Sequence, residues 1–501
     1  MRNKRILCAI LAAMLLAGFA LTSCGNERGT ETTPGGANTE TETVTETETE
    51  TEATMATTAA QYTGRDYGGY AFRIVDRDVG AYNDWAAFDV YAEELTGEVI
   101  NDAIYNRNNT MEDLLNIQIV EIRSNGIEAQ FKTAVTAGSD EFDTATDGLS
   151  NIGVHSLNGL LLDYNNISTI HLDNAWWDQP MRKDLSVLGH VYYMTGEISI
   201  MDNYATWCYL FNKDMIADLG LEDPYTLVNE GKWTLDKHNE MAAAALSDVD
   251  GDGKWTDADN YGLISEEYNN LALWSSFGYK ITEKDDKDIP YYTYATEPSI
   301  TALSNVVSTN YADFTNLGSG STVKQGGGVE TENGRERQFA IGKALFYYAG
   351  LRNVTLFRDS DVTFGILPAP KENEAQKEYY SCWSFCNLPA YMLPKTLEDA
   401  ERTGDILEIM AHLSVYSLTP AYMEQTLIGK ASRDAESEPM VYLILDNRNY
   451  DLGIMYDWGT LRTTMFNFKD PEKIVSEFEK KKKSADADLE KYITAIEGAV
   501  E

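Results

Sequence analysis

The densest run of ligand-type side chains is Asp248-Val249-Asp250-Gly251-Asp252-Gly253-Lys254-Trp255-Thr256-Asp257-Ala258-Asp259. Carboxylates at alternate positions converge on one hard cation, and a glycine at the sixth position allows the sharp turn that carries the chain around it. The spacing fits a twelve-residue calcium loop. Asp248, Asp250 and Asp252 would be ligands, the Lys254 carbonyl would take the seventh position, Thr256 would act directly or through water, and Asp259 would close the loop. Asp259 stands where a longer Glu is usual, which shortens bidentate reach. The alternative is an acidic surface turn, but five Asp against one Lys repel strongly without a cation. The expected role is structural, pinning a loop after a helix that ends near Leu246.

A second chemistry is recognition of a polar ligand with apolar faces. Aromatic rings cover the apolar side of a pyranose while carboxylates and amides bind its hydroxyls, and 30 Tyr, 16 Phe and 9 Trp supply many rings. Candidates near strand ends, breaks or loops are Trp176, Trp177, Trp274, Trp383 and Trp458. The polar candidates are Asp76, Asp78, Asp147, Glu197 and Arg352. Core packing is the competing role for every one of these tryptophans, and Trp233 and Trp255 are assigned to the scaffold and the calcium loop. No catalytic residue is expected. The chain has no Gly-x-Ser-x-Gly elbow, no His-Glu-x-x-His and no phosphate-binding glycine loop, and its five histidines show no ligand spacing.

The elements that must position these groups alternate in type. Tyr70 to Val75 reads as a strand, Glu98 to Leu115 as an amphipathic helix, Ile117 to Ile122 as a strand and Ile127 to Ala137 as a helix. Phe142 to Thr146 and Ile152 to Leu162 repeat the unit, which implies a parallel, helix-covered sheet whose ligands lie beyond the carboxyl ends of the strands. Tyr204 to Phe211 and Phe364 to Leu367 are later strands, and the C-terminal third reads as mostly helical. Such a chain suggests two lobes with several crossings. Lys480 to Lys483 is preceded by Glu477 and Glu479 and followed by Asp486 and Asp488, so opposite charges meet at three- and four-residue spacing, as on a solvated helical face.

Charge and the amino terminus set the compartment. With 80 acidic and 40 basic residues the formal charge is −40, which argues against nucleic acid because a polyphosphate partner needs a basic footprint. Arg2, Lys4 and Arg5 precede the apolar run Ile6 to Leu21, a signal-peptide pattern. The run meets Leu21-Thr22-Ser23-Cys24-Gly25, which resembles the lipobox of bacterial lipoproteins, where the cysteine thiol receives diacylglycerol. Residues 1–23 are then the signal and Cys24 the lipid anchor on the outer face of the cell membrane. Residues 24–63 hold eight Glu against Arg28, with Thr between them, and read as a disordered tether; residues 64–501 form the body. Cys208, Cys382 and Cys386 remain in the body, where Cys382 and Cys386 either bridge or stay as buried free thiols, the expected state.

Four stretches carry a family resemblance: Phe211-Asn212-Lys213-Asp214 with Leu219-Gly220-Leu221 and Pro224; Lys232-Trp233-Thr234-Leu235-Asp236; Phe339-Ala340-Ile341-Gly342-Lys343-Ala344-Leu345; and Phe364-Gly365-Ile366-Leu367-Pro368-Ala369-Pro370-Lys371. In order and spacing the chain resembles the extracellular solute-binding proteins of ABC importers, in the branch that mostly handles carbohydrates. The resemblance implies an α/β, two-lobed, periplasmic-binding-protein-like fold with a hinge and an interlobe ligand cleft. Lobe 1 is expected mainly over 64–205 with a later return segment, and lobe 2 over 206–340 with part of the C-terminal third. It further implies a monomer that captures a carbohydrate, an oligosaccharide for preference, and delivers it to ABC permease subunits. Receptors for a peptide or other small solute, a secreted carbohydrate-active hydrolase and a surface adhesion protein are the alternatives.

Overall fold

The computed structural model describes residues 54–500, apart from 83–84, 257, 320–321, 324–333, 358–359 and 428–434. Cys24, the signal segment and most of the tether lie outside the described residues.

Lobe 1 begins with β1 (Tyr70–Arg77), β2 (Ile117–Ser124), β3 (Thr144–Gly148) and β4 (Tyr193–Met194). The chain then lays down β5 (Trp207–Asn212), β6 (Tyr261–Ser265), a small hairpin of β7 (Thr282–Lys284) and β8 (Pro290–Tyr292), then β9 (Thr315–Ser319) and β10 (Thr322–Val323). It continues through β11 (Ala344–Gly350) and β12 (Phe364–Leu367) to β13 (Pro389–Met392). Two sheets result, ordered β2-β1-β3-β13-β4 and β10-β9-β6-β11-β5-β12.

Sequence dictates the first sheet locally. In β1, Phe72 and Ile74 point to one face and Val75 to the other, and all three are buried because helices cover both sides. Helix α1 (Val99–Leu115) buries Ile100, Ile104, Met111 and Leu115 at three- and four-residue steps and ends at Asn116, whose left-handed backbone turns the amide back onto Glu112. Helix α2 (Ile127–Ala137) and α3 (Leu149–Leu157) cover the other face.

The second lobe contains α4 (Leu235–Ala245), capped by the Thr234 hydroxyl, which accepts from the Lys237 amide, and α5 (Asn269–Ser276), which starts just beyond the carboxyl end of β6. The C-terminal part supplies α6 (Ala400–Ser414), α7 (Leu418–Leu427), α8 (Ser437–Asp446), α9 (Leu461–Phe466) and α10 (Ile474–Val500). On α10, Lys480 pairs with Glu477 and Lys482 with Asp486, the expected solvated face.

Three details differ from the sequence expectations. Lobe 2 runs on through β11 and β12, beyond residue 340, and the return to lobe 1 is made by β13, whose short Pro-led run gives little periodicity. Residues 54–59 are helical and already belong to the body, because Met55, Thr58 and Ala59 are buried and Tyr62 bonds His412 at 2.5 Å. The cysteines are free, yet Cys386 is exposed, since it sits on the crossing between the lobes; Cys208 and Cys382 are buried.

That crossing is a hinge of three adjacent segments. Trp207 donates its amide to the Cys382 carbonyl at 2.8 Å, Ser384 donates to the Ala205 carbonyl at 2.9 Å, and Ser381 donates to the Asn447 carbonyl and accepts from the Asn449 amide, each at 2.9 Å. The register pairs Thr206 with Trp383 and Ser381 with Arg448. A few extended residues thus connect the lobes, which is the arrangement that lets rigid bodies rotate on backbone torsions.

Candidate functional site: the hinge and the interlobe cleft

The carboxyl ends of β1 and β3 in lobe 1 and of β6 and β11 in lobe 2 converge on the hinge. At the lobe 1 edge Arg77 and Asp147 form a buried ion pair at 3.1 Å. The Arg77 guanidinium also reaches the Cys386 carbonyl at 2.6 Å, and Asp147 accepts from the Gly148 amide at 2.7 Å and from Asn151 at 3.0 Å. A Cβ on Gly148 would lie 2.1 Å from the Cys386 carbonyl oxygen, so only glycine lets the hinge segment approach this strand end. From lobe 2, Arg352 stands over the Trp85 ring of lobe 1 at 5.5 Å, bridging the two edges.

Beside this edge lies an aromatic cluster drawn from both lobes and the hinge. Trp207 and Tyr268 lie 4.8 Å apart between ring centroids, Tyr268 and Phe466 4.9 Å, and Phe385 stacks on Phe466 at 5.8 Å and 22°. Tyr268, Phe385 and Phe466 are half-buried. The Arg462 guanidinium sits 3.6 Å over Phe385 and is held by the Ile454 carbonyl at 2.8 Å and by Asp457 at 3.4 Å. Phe385 is fixed to lobe 1 because its carbonyl accepts from the Ser150 amide at the start of α3. Tyr268 donates its hydroxyl to the Trp383 carbonyl at 2.9 Å, and burial pushes its ionisation well above the usual tyrosine range. Such a surface can stack on apolar ligand faces while the arginines and carboxylates at its rim exchange hydrogen bonds with hydroxyls.

The sequence-predicted ligand residues divide. Arg352 stands at the cleft edge described above, and Asp147 is fully buried in its pair with Arg77. Asp76 is fully buried on β1, away from solvent, with burial and then the Glu121 charge raising its pKa to about 9. Asp78 is held by the Val79 amide at 2.8 Å and by Asn125 at 2.9 Å. Four tryptophans prove to be core. Trp177 donates its indole N–H to Glu408 at 2.7 Å, Trp274 to the Ser299 carbonyl at 3.2 Å and Trp383 to the Asn449 carbonyl at 3.0 Å, while Trp458 stacks on Tyr456 at 5.2 Å. Burying so large a ring contributes about 1.5–3 kcal/mol or more, which outweighs leaving it at a mouth. Trp176 and Glu197 are brought together, but on the other side of the hinge, where Trp176 stacks on His412 at 3.9 Å and Glu197 accepts from Thr419.

Trp207, Tyr268, Phe385, Phe466 and Arg462 were not singled out from sequence. Tyr268 follows the carboxyl end of β6 directly, so recognising Tyr261–Ser265 as a strand would have placed it by the strand-end rule.

In the acidic loop, Asp248, Asp250 and Asp252 offer carboxylate oxygens all within 4.8 Å of one another. An oxygen-seeking divalent cation needs this spacing. Asp259 is buried and turned elsewhere: its carboxylate accepts from the Val249 amide at 2.9 Å and from the Thr256 amide at 2.7 Å, tying the two ends of the loop. The Lys254 amide donates to Asp252 at 2.7 Å.

No family model matches the chain, and no curated protein matches it in sequence. In fold it is similar to an ABC substrate-binding protein from Listeria monocytogenes in complex with cycloalternan, at 12% identity over 82% of this chain and 97% of that one, with a TM-score of 0.51. It is also similar to M. tuberculosis UspC, at 13% identity over 83% and 99% with a TM-score of 0.52. A third likeness is to a cyclo/maltodextrin-binding protein complexed with maltotetraose, at 12% over 86% and 97%, TM-score 0.51. What is shared with these structures is the fold, two α/β lobes joined by a hinge. Among the described residues no helix is long and apolar enough to cross a membrane.

Proposed function

We propose that the chain is the solute-binding receptor of an ABC importer, that it captures an oligosaccharide in the cleft between its lobes, and that it hands this ligand to a membrane permease. The observation that carries the reading is the half-buried cluster of Tyr268, Phe385 and Phe466, contributed by separate parts of the fold and capped by Arg462 at the hinge. Rings so placed take the apolar face of a sugar when the lobes close. The ligands bound to two of the similar folds, cycloalternan and maltotetraose, are of this chemical class. Thermal-shift screening tests it: maltotetraose, cycloalternan or another oligosaccharide should raise Tm, and Phe385→Ala should abolish the rise. A rise with peptides and with no sugar would overturn the substrate class.

The same reading gives the chain a lipid anchor at Cys24 on the outer face of the cell membrane; Cys24→Ser should move it from the membrane to the medium. Asp248, Asp250 and Asp252 would hold a structural Ca²⁺ that pins the loop after α4. Chelation should then lower Tm, and Asp250→Ala should remove that sensitivity; identical melting with and without chelator would sink the calcium assignment.

A further inference from the structure

The aromatic cluster has a buried polar backing. Tyr268 lies between Trp207, 4.8 Å away at 42°, and Phe466, 4.9 Å away at 51°. The two residues that follow Tyr268 each reach one of its neighbours. Asn269 accepts the Trp207 indole N–H at 3.0 Å, and Asn270 donates its side-chain amide to the backbone carbonyls of Phe466 at 3.2 Å and Phe468 at 2.9 Å. Both asparagines are buried, so neither can touch a ligand in the cleft.

Behind the rings the two amides are joined. Ser265, the last residue of β6, accepts from Asn269 at 3.0 Å and donates to Asn310 at 2.7 Å, and Asn310 donates to Asn270 at 2.8 Å. The direction of this chain is forced at both ends. The carbonyls of Phe466 and Phe468 can only accept, so Asn270 turns its NH₂ to them and its oxygen to Asn310. The Trp207 indole can only donate, so Asn269 turns its oxygen to it and its NH₂ to Ser265. One continuous run of hydrogen bonds therefore links the Trp207 ring to the segment that carries Phe466, across the carboxyl end of β6. Apolar packing is non-directional, whereas a fully satisfied buried network selects one arrangement.

We propose that Asn269 and Asn270 are positioning residues for ligand recognition: linked through Ser265 and Asn310, they hold Trp207 and Phe466 so that the Tyr268 ring between them has a fixed tilt before any ligand arrives. A ring already set loses less freedom when a sugar stacks on it, so affinity depends on groups the sugar never meets. The inference rests on the reading of this cluster as the sugar-binding surface.

The test is calorimetric titration of the full mature chain with maltotetraose and with cycloalternan. Ser265→Ala removes the central link and leaves every ring in place. Ser299→Ala is the control, because Ser299 is equally buried, donates its hydroxyl to the Tyr294 carbonyl at 2.6 Å and lies outside the network. Ser265→Ala should weaken the sugar about fivefold or more, and Ser299→Ala less than about twofold. In proton spectra without ligand, the Trp207 indole N–H, identified by its loss in Trp207→Phe, should move in Ser265→Ala and in Asn269→Leu and stay in Ser299→Ala. Sugar binding that Phe385→Ala weakens but Ser265→Ala leaves at parent strength, or weakens no more than Ser299→Ala does, would overturn the positioning alone. So would a Trp207 signal that Ser265→Ala does not move. Failure of both sugars to bind the parent would overturn the reading of the cleft and this inference with it.

Discussion

The two faces of the hinge are built from neighbouring residues and have opposite chemistry. On the front, Trp207 leads into a patch of half-buried rings with Arg462 laid on Phe385. On the back, Thr206 joins an ionic network in which Arg448 is shared by two buried aspartates and Tyr450 donates to Asp178 at 2.9 Å. The half-buried rings on the front can be covered further by a ligand, and covering them is favourable. Polar groups on the back are consumed by one another, so they hold the three hinge segments in register. One face is available for binding, and the other sets the geometry in which binding occurs.

The largest test of this contrast is Arg448→Ala. It leaves Asp178 and Asp202 buried without their guanidinium, and removing one member of a buried charge network costs about 3–5 kcal/mol. Denaturant unfolding should show a loss of that order, and Arg448→Lys should recover only part of it because an ammonium cannot reproduce the fork. A loss below about 1 kcal/mol would mean that the back face does not hold the hinge.

Phe385→Ala is the complementary test on the front. Its ring is half-buried, so the cost to stability should be smaller, about 1–2 kcal/mol. Oligosaccharide affinity should fall about 10- to 100-fold, equivalent to about 1.4–2.8 kcal/mol, in titration calorimetry. Arg448→Lys, if folded, should change that affinity far less. Equal losses of affinity in both variants would erase the distinction between the faces.

Much of the frame was legible in the sequence. Periodicity placed β1, α1, β2 and α2 within a few residues, because each buries apolar side chains at its own repeat. Thr234 announced the start of α4 by its capping chemistry. The site was less legible because its members are far apart in sequence and their exposure is set by the meeting of elements. Phe385 and Trp383 are two residues apart on one crossing, and nothing local says that Trp383 faces the core while Phe385 faces the cleft. Tryptophan drew attention by size, and that same size put Trp177, Trp274, Trp383 and Trp458 inside. Trp176 and Glu197, expected at the ligand cleft, line a pocket behind the hinge instead.

The sharpest test on electrostatics concerns Asp202. One guanidinium cannot fully balance two buried carboxylates, so the network retains a proton: burial first, then the neighbouring Asp178, raises the Asp202 pKa to about 7 against the partial relief that Arg448 gives. Folded chain therefore holds a proton that unfolded chain releases near pH 4, and stability falls as pH rises between about 4 and 7. The slope from this group is at most about 1.4 kcal/mol per pH unit within that window and vanishes above it. Asp202→Asn mimics the protonated form, keeps an oxygen for Arg448, and should flatten this part of the profile, so that the variant gains on the parent between pH 5 and pH 7. The front face has no counterpart: Phe385→Ala should displace the whole stability profile without changing its slope. Parallel pH profiles for the parent and Asp202→Asn would show that the back-face network carries no proton and that its two aspartates share Arg448 as fully charged groups.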